Sequence, residues 1–169
     1  MQIRTLDTVE AARELTDLIR DYVTFVAADL DATFGVAFDP EELLANTLGS
    51  LDKVVPPQGM TFVAEADDGT RLGMVFLRRS GEDAMEIKRL YVVPEGRGTG
   101  AGKALVLAAM DAAKVAGAKA MRLDTGRNLT AAIGLYESLG FQLRDVYEES
   151  DHATDEVLMP YLVFMERAL

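Results

Sequence analysis

The stretch YVVPEGRGTGAGKAL, Tyr91 to Leu105, constrains the fold more than any other part of the chain. An apolar, strand-like run enters a loop with the alternate glycines Gly98, Gly100 and Gly102, and an almost wholly apolar helix follows. Removing side chains from one short stretch lets backbone N–H groups approach and wrap a ligand oxygen. The start of the helix adds unpaired N–H donors and a positive dipole end, while Arg97 and Lys103 add full charges. Such a loop suits a phosphate; a tight structural turn is the plainer explanation of the same glycines. A P-loop is ruled out, because Arg97 and Ala104 stand where it needs Gly and Ser or Thr. Gly96, Gly98 and Ala101 fit a loose dinucleotide fingerprint, with Asp124 closing the next strand. That fold opens with its fingerprint, however, and here several strands come first.

The flanking pattern predicts a mixed α/β chain. A short first strand precedes an amphipathic helix in which Val9, Ala12, Leu15, Leu18, Ile19, Tyr22 and Val26 recur at helical spacing. A second helix is expected over 41–51, then strands over 60–66, 72–79 and 84–93 joined by Asp67-Asp68-Gly69 and Ser80-Gly81-Glu82-Asp83, which have hairpin chemistry. A helix over 100–115, apolar all round, should be buried. Strands over 119–125, 141–147 and 161–165 alternate with a helix over 130–139. Nothing divides the chain, so residues 1–169 are expected to form one domain.

Composition narrows the chemistry. With no cysteine in 169 residues there is no disulfide frame, thiolate nucleophile or thiol metal site. His152 stands alone in an acidic loop, reads as loop surface, and no metal is expected. The longest apolar run, 104–110, is far short of a membrane span, so no membrane role and a cytoplasmic location are expected. A formal charge of −11 argues against nucleic acid as a partner. Yet residues 71–127 carry 11 basic and 6 acidic side chains, a positive middle third that can hold an anionic ligand.

Taken together, EIKRLYVVPEGRGTGAGKAL and the downstream DTGRNLTAAIGLYESLGF resemble the GNAT acetyltransferase superfamily. Its loop pattern is met by Arg97, Gly100 and Gly102, and Asn128, Leu135-Tyr136 and Leu139-Gly140-Phe141 match its second motif. The resemblance implies a mixed, mostly antiparallel, V-shaped central sheet of about six to seven strands flanked by about four helices, splayed between the strands at 84–93 and 119–125. It further implies acetyl-coenzyme A as co-substrate in the gap. The backbone of Tyr91, Val92 and Val93 would pair with the pantetheine arm, and Arg97, Gly98, Thr99, Gly100, Ala101 and Gly102 would cradle the pyrophosphate. Lys103 would assist by charge, or serve as a plain helix-surface lysine.

In the reaction so implied, an amine acceptor must lose a proton before attacking the thioester. Glu86 matches the position of a general base in some members; alternatively it is a solvated carboxylate paired with Lys88. A strand N–H near Val92 would face the carbonyl oxygen. Tyr136 would donate to the departing sulfur, where without the resemblance a core tyrosine is expected. Asn128 would bond the pantetheine, cap a helix, or both.

Acceptor specificity is expected from 26–39 and 147–160, whose acidic residues would draw a cationic amine, small or aminoacyl. The apolar terminal strand is a candidate for pairing in a homodimer, or completes the core. Two other readings stay open at this point, a non-catalytic acyl-coenzyme A sensor and a dinucleotide-dependent oxidoreductase.

Overall fold

The computed structural model describes residues 1–169, which form one seven-stranded sheet with helices on both faces. In chain order these are β1 (Gln2–Leu6), α1 (Val9–Arg13), α2 (Thr16–Phe34), α3 (Pro40–Leu48), β2 (Gly59–Glu65), β3 (Arg71–Ser80), β4 (Ala84–Val92), α4 (Ala101–Val115), β5 (Ala120–Gly126), α5 (Thr130–Ser138), β6 (Gln142–Arg144) and β7 (Leu162–Ala168). The sheet order is β1-β2-β3-β4-β5-β7-β6. Every neighbouring pair is antiparallel except β4 and β5, which are joined through α4 and run parallel. No helix is long and apolar enough to cross a membrane.

Alternation along the strands divides the apolar residues between two cores. Phe62, Val75, Leu77, Met85, Ile87, Met121 and Leu123 pack beneath α4 and α5, with Leu105, Val106, Ala109 and Met110 from α4. On the other face Val63, Met74, Phe76 and Tyr91 meet Leu15, Leu18, Ile19 and Val23 from the first helices. The α4 helix is not buried all round as its composition suggests: Leu107 and Val115 are exposed, because a helix lying on one sheet face can cover only one stripe.

Two further expectations are corrected, and one left between alternatives is decided. The first amphipathic pattern is one run in sequence but two helices in space, since Thr16 Oγ1 donates to Arg13 O at 2.6 Å and the turn between them tightens. Its second part continues to Phe34 and ends at Gly35 in left-handed conformation, so much of the expected 26–39 specificity segment is helix. The terminal strand β7 lies between β5 and β6, paired with β5 along its length and with β6 over Phe164–Glu166, so of the two roles expected for it, it completes the sheet.

The feature that shapes the cleft is a failure of pairing. β4 and β5 are in register only from Ala84↔Ala120 to Ile87↔Leu123; beyond that they diverge, and a gap opens. On its other side β4 stays bonded to β3, but with a one-residue register shift between Met74 and Phe76. Ile87 therefore faces the α4 core while Tyr91, an even number of residues later, faces the α2 core. The inserted residue is Arg89, whose φ of 51° is left-handed.

Gly73 on β3 fits this edge closely: a Cβ there would lie 2.4 Å from Tyr91 O and 3.1 Å from Val92 Cα. Gly73→Ala is therefore expected to cost about 1–3 kcal/mol, read as a lowered Tm in thermal denaturation. Leu105→Ala, at a site with no exposure, is expected to cost about 2–5 kcal/mol as a cavity. An unchanged Tm for Gly73→Ala would mean that β3 and β4 part freely here.

Candidate functional site

The glycine loop presents its donors outward. Gly98 and Gly100 have φ of 76° and 89°, a region costly to other residues, and a Cβ at either would meet nothing within 4 Å. Gly100 is the N-cap of α4 with no side-chain cap, and the N–H groups of Gly98, Gly100, Gly102 and Lys103 have no acceptor in the chain. Four free donors at the positive end of a 15-residue helix make an anion site. Thr99 and Ala101 play a different part, for Thr99 Oγ1 donates to Gly96 O and accepts from Ala101 N, holding the loop's shape. Arg97 reaches back to Val92 O at 3.4 Å and lies over the Phe25 ring, and Lys103 is exposed and free.

From this loop β4 leads into the gap. Val93 N donates to Leu72 O on β3, so by antiparallel alternation the N–H of Val92 turns away from β3 toward the opening. Tyr91 packs its ring edge-on against Tyr22 of α2, centroids 6.2 Å apart, and its carbonyl lies against Gly73 of β3, so the open edge of the strand is carried by Val92. A cavity of about 380 Å³ fills the space between β4, β5, α2 and α5, lined by apolar groups such as Phe25, Leu43, Leu129 and Leu158.

Tyr136, from α5, lines this cavity and has no hydrogen-bond partner for its hydroxyl. Burial, with smaller contributions from Tyr22 and Asp124, pushes the phenol well above its usual pKa, so it stays protonated. Asn128 also lines the cavity. Its Nδ2 donates to Asp29 Oδ2 at 2.8 Å, while its Oδ1 is buried and unpartnered. Asn128 does not cap α5, whose N-cap is Leu129. A buried acceptor without a donor is costly, and an amide N–H arriving in the gap would satisfy it. The outward donors, the free strand edge and this orphan acceptor together fit a phosphate-tailed, amide-bearing arm such as that of coenzyme A.

Glu86 sits elsewhere. It has no exposure, it does not line the cavity, and it is not the solvated carboxylate of the plainer reading. Arg78 Nη2 lies 2.6 Å from its Oε2, while Oε1 accepts from Tyr147 at 2.6 Å and from Lys88 at 3.4 Å. Lys88 continues the chain to Asp124 at 2.8 Å, across the point where β4 and β5 part. Burial alone would lower the Lys88 pKa, but Asp124 and Glu86 outweigh it and hold the ammonium charged.

Several cavity residues were not among the site residues expected from the sequence. Tyr22, Asp124 and Asp151 line it, as does His152, which the sequence placed on the loop surface. One signal was present: Glu86, Lys88 and Arg89 interrupt an apolar strand, and charge inside a strand bound for the core needs partners. The acidic loops are also less bare than their composition suggests. Asp39 caps α3, Asp29 holds Asn128, Glu149 pairs with Arg122, and Asp151 pairs with Arg78.

Comparison with known proteins agrees with this architecture. The acetyltransferase (GNAT) family profile matches residues 22–141. An uncharacterized N-acetyltransferase of Schizosaccharomyces pombe is 34% identical over 147 residues, 85% of each chain. A GNAT-family acetyltransferase of Staphylococcus aureus superposes with a TM-score of 0.74 over 99% of both chains at 16% identity. A Salmonella typhimurium protein described as a putative acetyltransferase with its cofactor acetyl-CoA has a TM-score of 0.64 at 20% identity, over 100% of this chain and 94% of its own. With the splayed sheet and the loop before α4 in place, the chain belongs to the GNAT acetyltransferase family.

Proposed function

We propose that this protein transfers an acetyl group from acetyl-coenzyme A to a primary amine by direct attack, with Tyr136 as the acid. The observation that carries the reading is the unpartnered, protonated Tyr136 hydroxyl in the cavity, at the end of a path that begins at the free amides of Gly98 to Lys103. A sensor that only bound the co-substrate would have no use for a proton donor in the gap. An oxidoreductase reading loses its ground with the dinucleotide fold, since this motif follows β4 of a largely antiparallel sheet.

In this reading the backbone amides of Gly98, Gly100, Gly102 and Lys103 hold the diphosphate, with Arg97 swinging from Phe25 to add charge. Asn128 Oδ1 accepts from an amide of the pantetheine arm, which lies along Tyr91, Val92 and Val93. The Val92 N–H faces the thioester oxygen as negative charge gathers there. The amine forms the new C–N bond as the C–S bond breaks, and Tyr136 hydrogen-bonds or protonates the sulfur that leaves.

Because Glu86 is sealed behind Lys88, we assign it a positioning role. It holds Lys88 against Asp124 at the parting of the strands, and the amine's proton leaves through water in the cavity. No metal is needed in this scheme.

Thermal shift with acetyl-coenzyme A, coenzyme A and NAD, followed by thiol release over an amine panel, tests the reading. Stabilisation by the first two and thiol release with some amine is expected; stabilisation with no release would favour the sensor. Gly100→Val should abolish stabilisation by coenzyme A, whereas Tyr136→Phe should lower kcat about 10²-fold or more with little change in cofactor affinity.

The raised Tyr136 pKa gives a pH prediction. A raised pKa extends the protonated form upward, so kcat should rise as the amine deprotonates and show no falling limb from Tyr136 up to pH ~10, the phenol's ordinary value. Glu86→Gln should lower stability by about 3–5 kcal/mol, by leaving Arg78 and Lys88 short of a charge, yet keep the pH at which kcat rises. Loss of that rising limb would make Glu86 the base.

A further inference from the structure

A second cavity of about 80 Å³ adjoins the first and shares Thr47, Lys88, Arg89 and Asp151 with it. Its remaining polar lining is Ser50, Lys53 and Arg78, so four cations face one carboxylate there. Arg78 and Lys88 are already neutralised by Glu86, Asp124 and Asp151. Arg89 and Lys53 have no carboxylate partner.

Arg89 is held for a purpose that the fold alone does not explain. Its left-handed φ of 51° is unfavourable for a residue with a long side chain, and such strain persists only where the surroundings enforce it. The bulge brings consecutive residues, Lys88 and Arg89, to the same two cavities, where regular alternation would send one to the opposite face. Arg89 Nε donates to Thr47 Oγ1 at 3.0 Å, and that hydroxyl donates in turn to Leu43 O at 2.9 Å, which fixes the guanidinium plane. Both terminal nitrogens of Arg89 are left without a partner. A half-buried guanidinium, oriented through one edge and with its two terminal nitrogens free, matches the paired oxygens of a carboxylate.

The geometry points to a carboxylate subsite built by Arg89, with Lys53 at its rim. The amine acceptor is accordingly a small amino-carboxylate, whose amine lies in the large cavity and whose carboxylate enters the small one. This rests on the transferase reading and narrows its acceptor, because a simple cationic amine would meet two unneutralised positive charges. Asp151, shared by both cavities, stands where it can face the ammonium of the same molecule before it loses its proton.

Calorimetric titration of the product side separates this subsite from turnover. N-acetylphenylalanine and N-acetylphenethylamine differ only in the carboxylate, and each is titrated into the protein loaded with coenzyme A and into the protein alone. The carboxylated ligand should bind about tenfold tighter or more, and thiol release should show the same preference for phenylalanine over phenethylamine. Arg89→Asn, whose new residue tolerates left-handed backbone, should reduce that ratio at least fivefold, and Lys53→Ala, at an exposed position, should reduce it less. Equal binding of the pair, a preference for phenethylamine, or a ratio unmoved in both variants overturns the subsite. Tighter binding of N-acetylphosphoethanolamine than of N-acetyl-β-alanine would overturn the assignment to a carboxylate. If coenzyme A binds but no amine releases thiol, the transferase reading fails, and the binding ratio still decides the subsite.

Discussion

The ion pair between Lys88 and Asp124 stands at the one place where this sheet stops being a sheet. Above it, β4 and β5 share a parallel ladder; below it they separate, and the freed strand edges become walls. A buried ammonium is costly unless opposite charge and hydrogen bonds surround it. Glu86, Asp124 and Asp151 supply them, and Tyr147 and Arg78 satisfy Glu86 in turn. The network spans β3, β4, β5 and the loop after β6, so the elements that define the gap are tied together at its floor. The apolar cores on either face could form without it; the fixed divergence of the strands could not.

Much of this was legible in residues. Strand alternation and hairpin chemistry at Asp67-Asp68-Gly69 predicted the mixed sheet, and the paired motifs at Arg97 to Gly102 and Asn128 to Phe141 carried the family resemblance that implied a splay between the strands at 84–93 and 119–125. What could not be read was long-range. Nothing local says that Thr16 will turn the chain between α1 and α2, or that β7 will insert between β5 and β6. The register shift at Arg89 was equally hidden, because a bulge is a mismatch between two strands and belongs to neither alone. Glu86 shows the same limit: its spacing from the loop suggested chemistry, and only the burial created by Arg78 and Tyr147 shows it sealed from the cavity.

Charge followed a similar course. The acidic loops looked like a lure for cations, but folding engages Asp29, Asp39, Glu149 and Asp151 with particular partners. The positive middle third of the chain, in contrast, keeps Arg89, Arg97 and Lys103 clear of carboxylates after folding. Sequence charge is a sum, whereas recognition depends on what remains unpaired.

The contacts around the large cavity form a closed circuit. Lys88 and Asp124 join β4 to β5, Asn128 and Asp29 join the end of β5 to α2, and Tyr22 against Tyr91 returns from α2 to β4. Phe34 stacked on Tyr161, with Arg127 over both rings, reinforces the second of these links. A cavity girdled in this way has walls drawn from three elements that hold one another in place. Strain at any one of these links would be felt by the other two, so the width of the cavity is set by the ring as a whole and not by any single wall.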